Sequence, residues 1–294
     1  MNQRLTLSTA LLLALPPVLW AGNAVVGRLV APLVPPLALN FLRWALAFLI
    51  LLPLAWPWLR ADSPIWADMR RYAVLGLLGV GCYNALQYLA LKTSTPTNVT
   101  LVGSSMPAFM LALGAAFFGQ RITSRQVAGA VLSVAGVLVV LSRGEPAHLA
   151  QVRFVAGDLY MLLATAAWAL YSWLLTRPDA LRRDWAGFLM AQMVPGLVWA
   201  GLFAATETVV SAQSIQWGAP LAAAIAFIAI GPAILAYRCW GLGVQRVGPN
   251  IAGFFSNLTP LFAALLSAAF LGEPPHLYHA LAFVLIVGGI VVNH

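Results

Sequence analysis

The stretch from Val80 to Leu141 occurs twice in this chain, and the repetition limits the fold more than any other feature. The first copy reads VGCYNALQYLALKTSTPTNVTLVGSSMPAFMLALGAAFFGQRITSRQVAGAVLSVAGVLVVL. The second starts at Ile230 and reads IGPAILAYRCWGLGVQRVGPNIAGFFSNLTPLFAALLSAAFLGEPPHLYHALAFVLIVGGIVVNH. Asn98 falls on Asn250 and Ser104 on Ser256, an offset of 152 residues. After one inserted residue, Gly119-Gln120 falls on Gly272-Glu273 and Gly136 on Gly289. An earlier echo pairs Trp20 to Arg28 (WAGNAVVGR) with Trp168 to Arg177 (WALYSWLLTR). The expected organisation is a first unit over residues 1–142, a linker over 143–158 and a second unit over 159–294. Two versions of one apolar unit in a single chain form the sequence pattern of membrane carriers.

Composition supports that class. Charged residues make up 8% of the chain and apolar residues 62%, with a mean hydropathy of +0.88. Soluble domains carry about 25% charged residues, so this chain could not cover a water-facing surface. The net charge of +8 does not indicate nucleic acid, because the positive charges are scattered through short loops as topology signals. Cys82 and Cys239 lie inside apolar runs without metal or redox spacing and read as small buried residues. The N-terminus imitates a signal peptide, with Arg4 before an apolar run. That run continues to Val26 and its Trp20 region is repeated later, so it reads as a first span.

The pattern predicts an all-α polytopic membrane protein with ten transmembrane helices, at about 20 apolar residues per span. The spans fall at roughly 7–27, 37–57, 72–91, 98–118, 126–142, 159–176, 185–206, 219–240, 250–271 and 276–292. Prolines 16, 17, 53, 107, 195, 232 and 260 interrupt several of them. Small residues such as Gly76, Gly79, Gly129, Gly136, Gly288 and Gly289 would let helices approach closely in lipid. With a cytoplasmic N-terminus, eleven of the sixteen Lys and Arg residues lie inside, four outside, and Arg43 within a span. This bias predicts that both termini are cytoplasmic. Five spans per unit force the second unit to enter from the opposite side. The two five-helix repeats would then be inverted, with a substrate path between them near the midplane.

These residues resemble the EamA family of the drug/metabolite transporter superfamily. The likeness rests on Trp20-x-x-Asn23, on FLRW at Phe41 to Trp44, on Pro107 and Thr259-Pro260, and on Gly272-Glu273 after the ninth span. It covers essentially the whole chain. Gly119-Gln120 departs from the usual Gly-Glu at the matching place in the first repeat. The YNALQYLAL stretch and the aromatic content are most similar to bacterial inner-membrane exporters of aromatic amino acids. The resemblance implies export of amino acids or small metabolites, a central cavity, cytoplasmic termini and residence in the bacterial inner membrane.

Polar residues inside spans are costly and therefore informative. Tyr83, Asn84 and Gln87 share a face of the third span, and would offer amide groups and a ring to an amino acid. Trp20, Asn23 and Gly27 share a face of the first span, matched by Trp168, Tyr171 and Ser172 in the sixth. These two aromatic faces are expected to flank the substrate as walls. Trp56, Trp58, Trp66, Trp185, Trp217 and Trp240 lie at span ends and are expected in the interfacial belt. Arg43, with Asn40 and Trp44 beside it, would hold a substrate carboxylate or else snorkel to the interface. Ser256 and Asn257 precede Thr259-Pro260, as Ser104 and Ser105 precede Pro107. They would bind substrate or satisfy backbone freed by the kink. Gln192 and Met193 are weaker candidates, and His279 reads as a packing or interfacial group.

All eight acidic residues fall in loops or at span edges. Carboxylate-based proton coupling is therefore not expected, His279 is left as the one candidate proton group, and a facilitator is the expected mode. No nucleotide-binding, metal, cofactor or catalytic motif is present. The expected protein is a monomeric, non-enzymatic exporter of amino acids, aromatic and other apolar ones favoured. The rival reading is efflux of cationic aromatic drugs or other small metabolites. Replacing Gln87 or Trp168 by Ala is expected to cut transport while leaving the fold intact.

Overall fold

A computed structural model describes residues 5–94, 96–151, 153–179, 181, 184–210, 213–271 and 276–293. The Gly272-Glu273 pair and the orientation signals Arg4, Arg182 and Arg183 lie outside the described residues. Within them every regular element is helical. The first half runs α1 (Leu7–Val30), α2 (Pro36–Ala55), α3 (Met69–Leu75), α4 (Tyr83–Thr93), α5 (Pro96–Gly103), α6 (Met106–Phe117) and α7 (Ser124–Leu141). The second half runs α8 (Ala156–Leu174), α9 (Trp185–Val210), α10 (Ala219–Ile228), α11 (Ala236–Phe255), α12 (Leu258–Leu271) and α13 (Leu277–Asn293).

Local chemistry accounts for many of the boundaries. Pro36, Pro107 and Pro220 stand at the first or second position of their helices, where the missing N–H costs nothing. Thr123 and Gln126 form a reciprocal capping box at the start of α7, at 3.3 and 3.0 Å. His279 accepts from the His276 N–H ahead of α13, so it serves a helix start. Gly248 adopts φ 84° inside α11, and with Pro249 it breaks that element into two helical pieces. An L side chain there would be strained.

The halves repeat two irregular features. Gly76–Cys82 joins α3 to α4 as a π-helical turn, and Ala229–Leu235 joins α10 to α11 in the same way. Ser104 and Ser105 break α5 from α6, and Ser256 and Asn257 break α11 from α12. Glycines in the first π-turn admit the neighbouring helix. A Cβ at Gly76 would stand 2.5 Å from the Gln192 carbonyl oxygen, and one at Gly79 2.8 Å from the Tyr171 ring.

The last helices of the two halves, α7 and α13, pack on each other through Gly129, Gly136 and Gly289. A Cβ on Gly129 would lie 2.7 Å from Gly289 O, and one on Gly289 2.6 Å from Gly129 O. Gly129, Gly136 and Gly289 thus bring two backbones into contact as anticipated, whereas a Cβ at Gly288 would meet nothing within 4 Å, so that glycine is not part of the close approach. Asn257 Nδ2 donates to Ser133 Oγ on α7 at 2.9 Å and ties α12 to the same seam.

Seven helical stretches among the described residues are long and apolar enough to cross a membrane: Leu7–Gly27, Pro36–Leu59, Met69–Thr93, Val99–Phe117, Ser124–Leu141, Trp185–Val209 and Ala219–Phe255. The last has 37 residues, because it runs through the π-turn and past the Gly248 break. α13 is apolar but shorter. α8 has 19 residues, yet Asp158, Thr165, Ser172 and its aromatic side chains make it less apolar. Large apolar side chains cover the outside, including Leu29, Leu54, Phe117, Val131, Val198 and Val284. Such a surface suits lipid and not water. The chain is a membrane protein.

Candidate functional site

α8 runs through the centre, and Trp168 is its innermost large side chain, 1% exposed. Around it stand Trp20 at 5.2 Å between ring centroids, Tyr83 at 5.0 Å, Tyr171 at 5.0 Å, Tyr237 at 5.1 Å and Trp240 at 5.6 Å. Trp44 extends the group through Tyr237 at 4.8 Å. The rings come from α1, α2, α4, α8 and α11, so both halves contribute. Tilted and edge-on geometries dominate, each pair adding about 0.5–1.5 kcal/mol beyond its buried area. Trp20 and Trp168 were expected to flank a gap. Here they touch edge to face, with ring planes at 90°, a favourable geometry for an aromatic pair.

The polar atoms of these rings are held in fixed positions. Trp240 Nε1 donates to Ser172 Oγ at 2.9 Å, and Ser172 Oγ donates to the Trp168 carbonyl at 2.8 Å. Tyr171 OH donates to Gln192 Oε1 at 2.9 Å. Tyr237 OH donates to the carbonyl of Gly79 in the first π-turn. Gln192, the weaker candidate from the sequence, is thus a structural partner of the cluster.

Arg43 lies beside the rings and is fully buried. Its guanidinium carbon sits 5.3 Å from the centre of the Trp44 ring. Nη1 donates to Asn84 Oδ1 at 3.0 Å and to Tyr88 OH at 3.5 Å. Tyr88 OH in turn donates to Asn23 Oδ1 at 3.4 Å. Asn23 and Asn84, anticipated as groups for the substrate, therefore position the arginine. The snorkelling alternative for Arg43 does not describe this side chain, because it does not reach water. Gln87 lies half-buried on α4 with Tyr83 and Asn84.

Ser256 and Asn257 are placed elsewhere. Ser256 Oγ donates to the Gly253 carbonyl at 2.6 Å, just as Ser104 and Ser105 donate to carbonyls three residues earlier. Asn257 belongs to the α7 seam. Trp240 corrects an expectation in the opposite direction. It is fully buried in the aromatic group, not in an interfacial belt, because α11 continues well beyond it. Trp56, Trp66 and Trp217 are exposed. Tyr237 was not singled out from the sequence. Its signal was a tyrosine three residues before Trp240 on one helical face.

A narrow, partly open recess lies beside this cluster. Its lining includes Tyr171, Gln192 and Tyr237 of the buried group, and Trp185, Arg238 and Gln245 nearer the surface. The Arg238 guanidinium caps the Trp185 ring at 4.3 Å. At the same end, Trp58 Nε1 donates to Asp184, and Arg71 meets Asp179 at 3.2 Å.

The opposite end lies about 33 Å further along α9, at 1.5 Å per residue. There the buried Glu207 accepts from the Leu37 and Ala38 N–H groups at 2.7 and 3.0 Å, and from Lys92 Nζ at 3.4 Å. A carboxylate from α9 thus caps the N-terminus of α2, where the helix dipole favours negative charge. Asp158, also buried, accepts from Val155 N and Ser94 Oγ. Replacing Glu207 by Ala is expected to lower stability by about 0.5–2 kcal/mol, the usual loss of a helix cap. Glu207→Gln, which keeps an acceptor, should lose less. Thermal unfolding of the detergent-purified variants measures both.

Comparison with known proteins agrees with this architecture. The profile of the EamA-like transporter family matches residues 7–142 and 155–293. An uncharacterized transporter of Archaeoglobus fulgidus is 28% identical over 287 residues, covering 97% of this chain and 96% of its own. The aromatic amino acid exporter YddG of Ancylobacter novellus is 28% identical over 235 residues, covering 80% of this chain and 77% of its own. One solved crystal structure, 24% identical, matches with a TM-score of 0.73 over 97% of this chain and 96% of its own, a likeness of fold.

Proposed function

The chain belongs to the EamA-like transporter family, and from that premise we propose that it exports amino acids, aromatic and other apolar ones favoured. One observation carries this reading. A closed aromatic group built from both halves stands next to a fully buried arginine with no acidic partner among the described residues. Rings provide a place for an apolar or aromatic side chain, and a cation provides a place for a carboxylate. The exporter name carried by the Ancylobacter novellus relative points the same way.

The mechanism follows from the duplication. Ten spans arise if each π-turn lies within one pass and each hydroxyl break within another. Two inverted five-helix units then alternate about the central cluster, so that the path opens to one side at a time. The charge bias supports a cytoplasmic position for both termini and for the recess beside Trp185 and Arg238. The Glu207 latch then lies on the outer side. In this reading the protein sits in a bacterial inner membrane, with a single chain sufficing for the path. Asp158 and Glu207 are engaged at helix ends, away from the rings. This supports facilitated export down the substrate gradient without carboxylate coupling. The same geometry disfavours efflux of cationic drugs, which would meet the buried positive charge of Arg43 with no acid among the described residues paired to it.

Counterflow in proteoliposomes tests the proposal. Vesicles loaded with unlabelled phenylalanine and given labelled phenylalanine outside, without proton or sodium gradients, should accumulate label. Tryptophan, methionine and leucine should compete. Folded protein that exchanges no amino acid, yet exchanges an aromatic cation, would reverse the assignment.

A further inference from the structure

The atoms left without partners at the centre describe a ligand. Arg43 Nε and Nη2, Trp44 Nε1 and Asn40 Oδ1 are buried and make no hydrogen bond among the described residues. Buried polar groups in folded proteins are nearly always paired, so each exception calls for an explanation. Asn40 and Arg43 are 1% and 0% exposed. They stand three residues apart on α2 and so on one face.

The chemistry of the four atoms is specific. Arg43 spends Nη1 on Asn84 and Tyr88. Nε and Nη2 form the side edge of the guanidinium, whose two parallel N–H groups match the two oxygens of a carboxylate. Trp44 Nε1 adds a third donor. Asn40 Nδ2 donates to the Val80 carbonyl in the π-turn at 3.1 Å. That bond fixes the amide orientation and leaves Oδ1 as an acceptor without a donor. The centre thus offers a fork for an anion and, one turn away on the same helix, an acceptor for a cation.

We infer that Asn40 and Arg43 form the receptor for the zwitterionic end of an amino acid: Arg43 grips the α-carboxylate by its side edge, and Asn40 Oδ1 accepts from the α-ammonium. The side chain then enters the aromatic group, which connects to this face through Trp44 and Tyr237. The inference rests on the amino-acid reading above and refines it. Recognition is directed at the part every amino acid shares, and the rings set the preference among side chains. Asn23, Asn84 and Tyr88 are positioning residues, which hold Nη1 so that the side edge stays aimed.

The test is competition in the counterflow assay with three probes of one ring size. L-Phenylalanine carries both charges. L-Phenylalaninamide, at a pH that keeps its amine charged, lacks the carboxylate. 3-Phenylpropionate lacks the ammonium. In the wild-type protein each deficient probe should compete roughly 10- to 100-fold more weakly than phenylalanine, the range for a lost hydrogen bond to a charged group. Arg43→Gln should erase the preference for phenylalanine over its amide. Asn40→Leu should erase the preference over 3-phenylpropionate while keeping the first. Arg43→Lys retains charge but no fork, and should fall between wild type and Arg43→Gln. Wild-type exchange that treats the three probes alike overturns the receptor, and this comparison needs no variant to fold. Variants that weaken all three probes by one factor also overturn it, since that marks a purely structural role. Folded wild type that exchanges no amino acid overturns the export reading, and the receptor with it.

Discussion

Trp168→Ala should abolish exchange and lower stability by about 3–5 kcal/mol, the cost of deleting a buried aromatic side chain. The side chain is 1% exposed and packs against Trp20, Tyr83, Tyr171, Tyr237 and Trp240. Those neighbours are pinned by their own hydrogen bonds, so they cannot collapse freely into the vacated space. Tyr171 is tied to Gln192, Tyr237 to Gly79 and Trp240 to Ser172. This revises the expectation that Trp168→Ala would spare the fold, which treated the residue as a wall of an open cavity. Trp168→Phe is the milder probe of transport, because it keeps one ring in the group. Thermal unfolding and counterflow on both variants separate the two effects. Gln87, half-buried at the edge of the group, remains a site where Ala should reduce exchange with little loss of stability.

Gly289→Val should cost about 3 kcal/mol, the upper end for overpacking. Its first added carbon would already stand 2.6 Å from Gly129 O and 2.9 Å from Ser133 N. Both are backbone atoms of α7 and cannot rotate away. The helices would have to separate, loosening the Asn257–Ser133 bond beside them. The adjacent residue supplies the control. A Cβ at Gly288 meets nothing within 4 Å, so Gly288→Ala should be neutral or stabilising by about 0.5–1 kcal/mol through helix propensity. Equal effects at the two glycines would mean that α7 and α13 do not meet there.

The parts of the site readable from the sequence were those that break an apolar pattern. Arg43, Trp20, Trp168, Asn84 and Tyr83 stood out because lipid-facing positions do not need them. Tyr237 and Trp240 did not, for a geometric reason. The π-turn at Ala229–Leu235 inserts extra backbone into the helix and changes the phase of every later side chain. The eighth span was expected to finish at residue 240, which placed Trp240 at an interface. The helix instead continues to the break at Gly248. Ser256 was legible as a polar residue before a kink, but its partner, the Gly253 carbonyl, was not. Glu207 was correctly placed at a span edge. Its burial depends on α2 presenting bare N–H groups at the same level, which is a relation between two segments 170 residues apart in the chain.

The composition of α8 also bears on how the protein is made. Insertion machinery judges each emerging segment by its hydrophobicity, with polar residues near the helix centre weighing most heavily. α8 gives its inner face to Trp168, Tyr171 and Ser172, and begins with a buried aspartate. It is therefore a weak insertion signal on its own. Its entry into the bilayer is expected to be helped by α9, 26 residues long, which follows it from the ribosome. A helix at the centre of the finished protein is thus expected to gain from a neighbour when it enters the membrane.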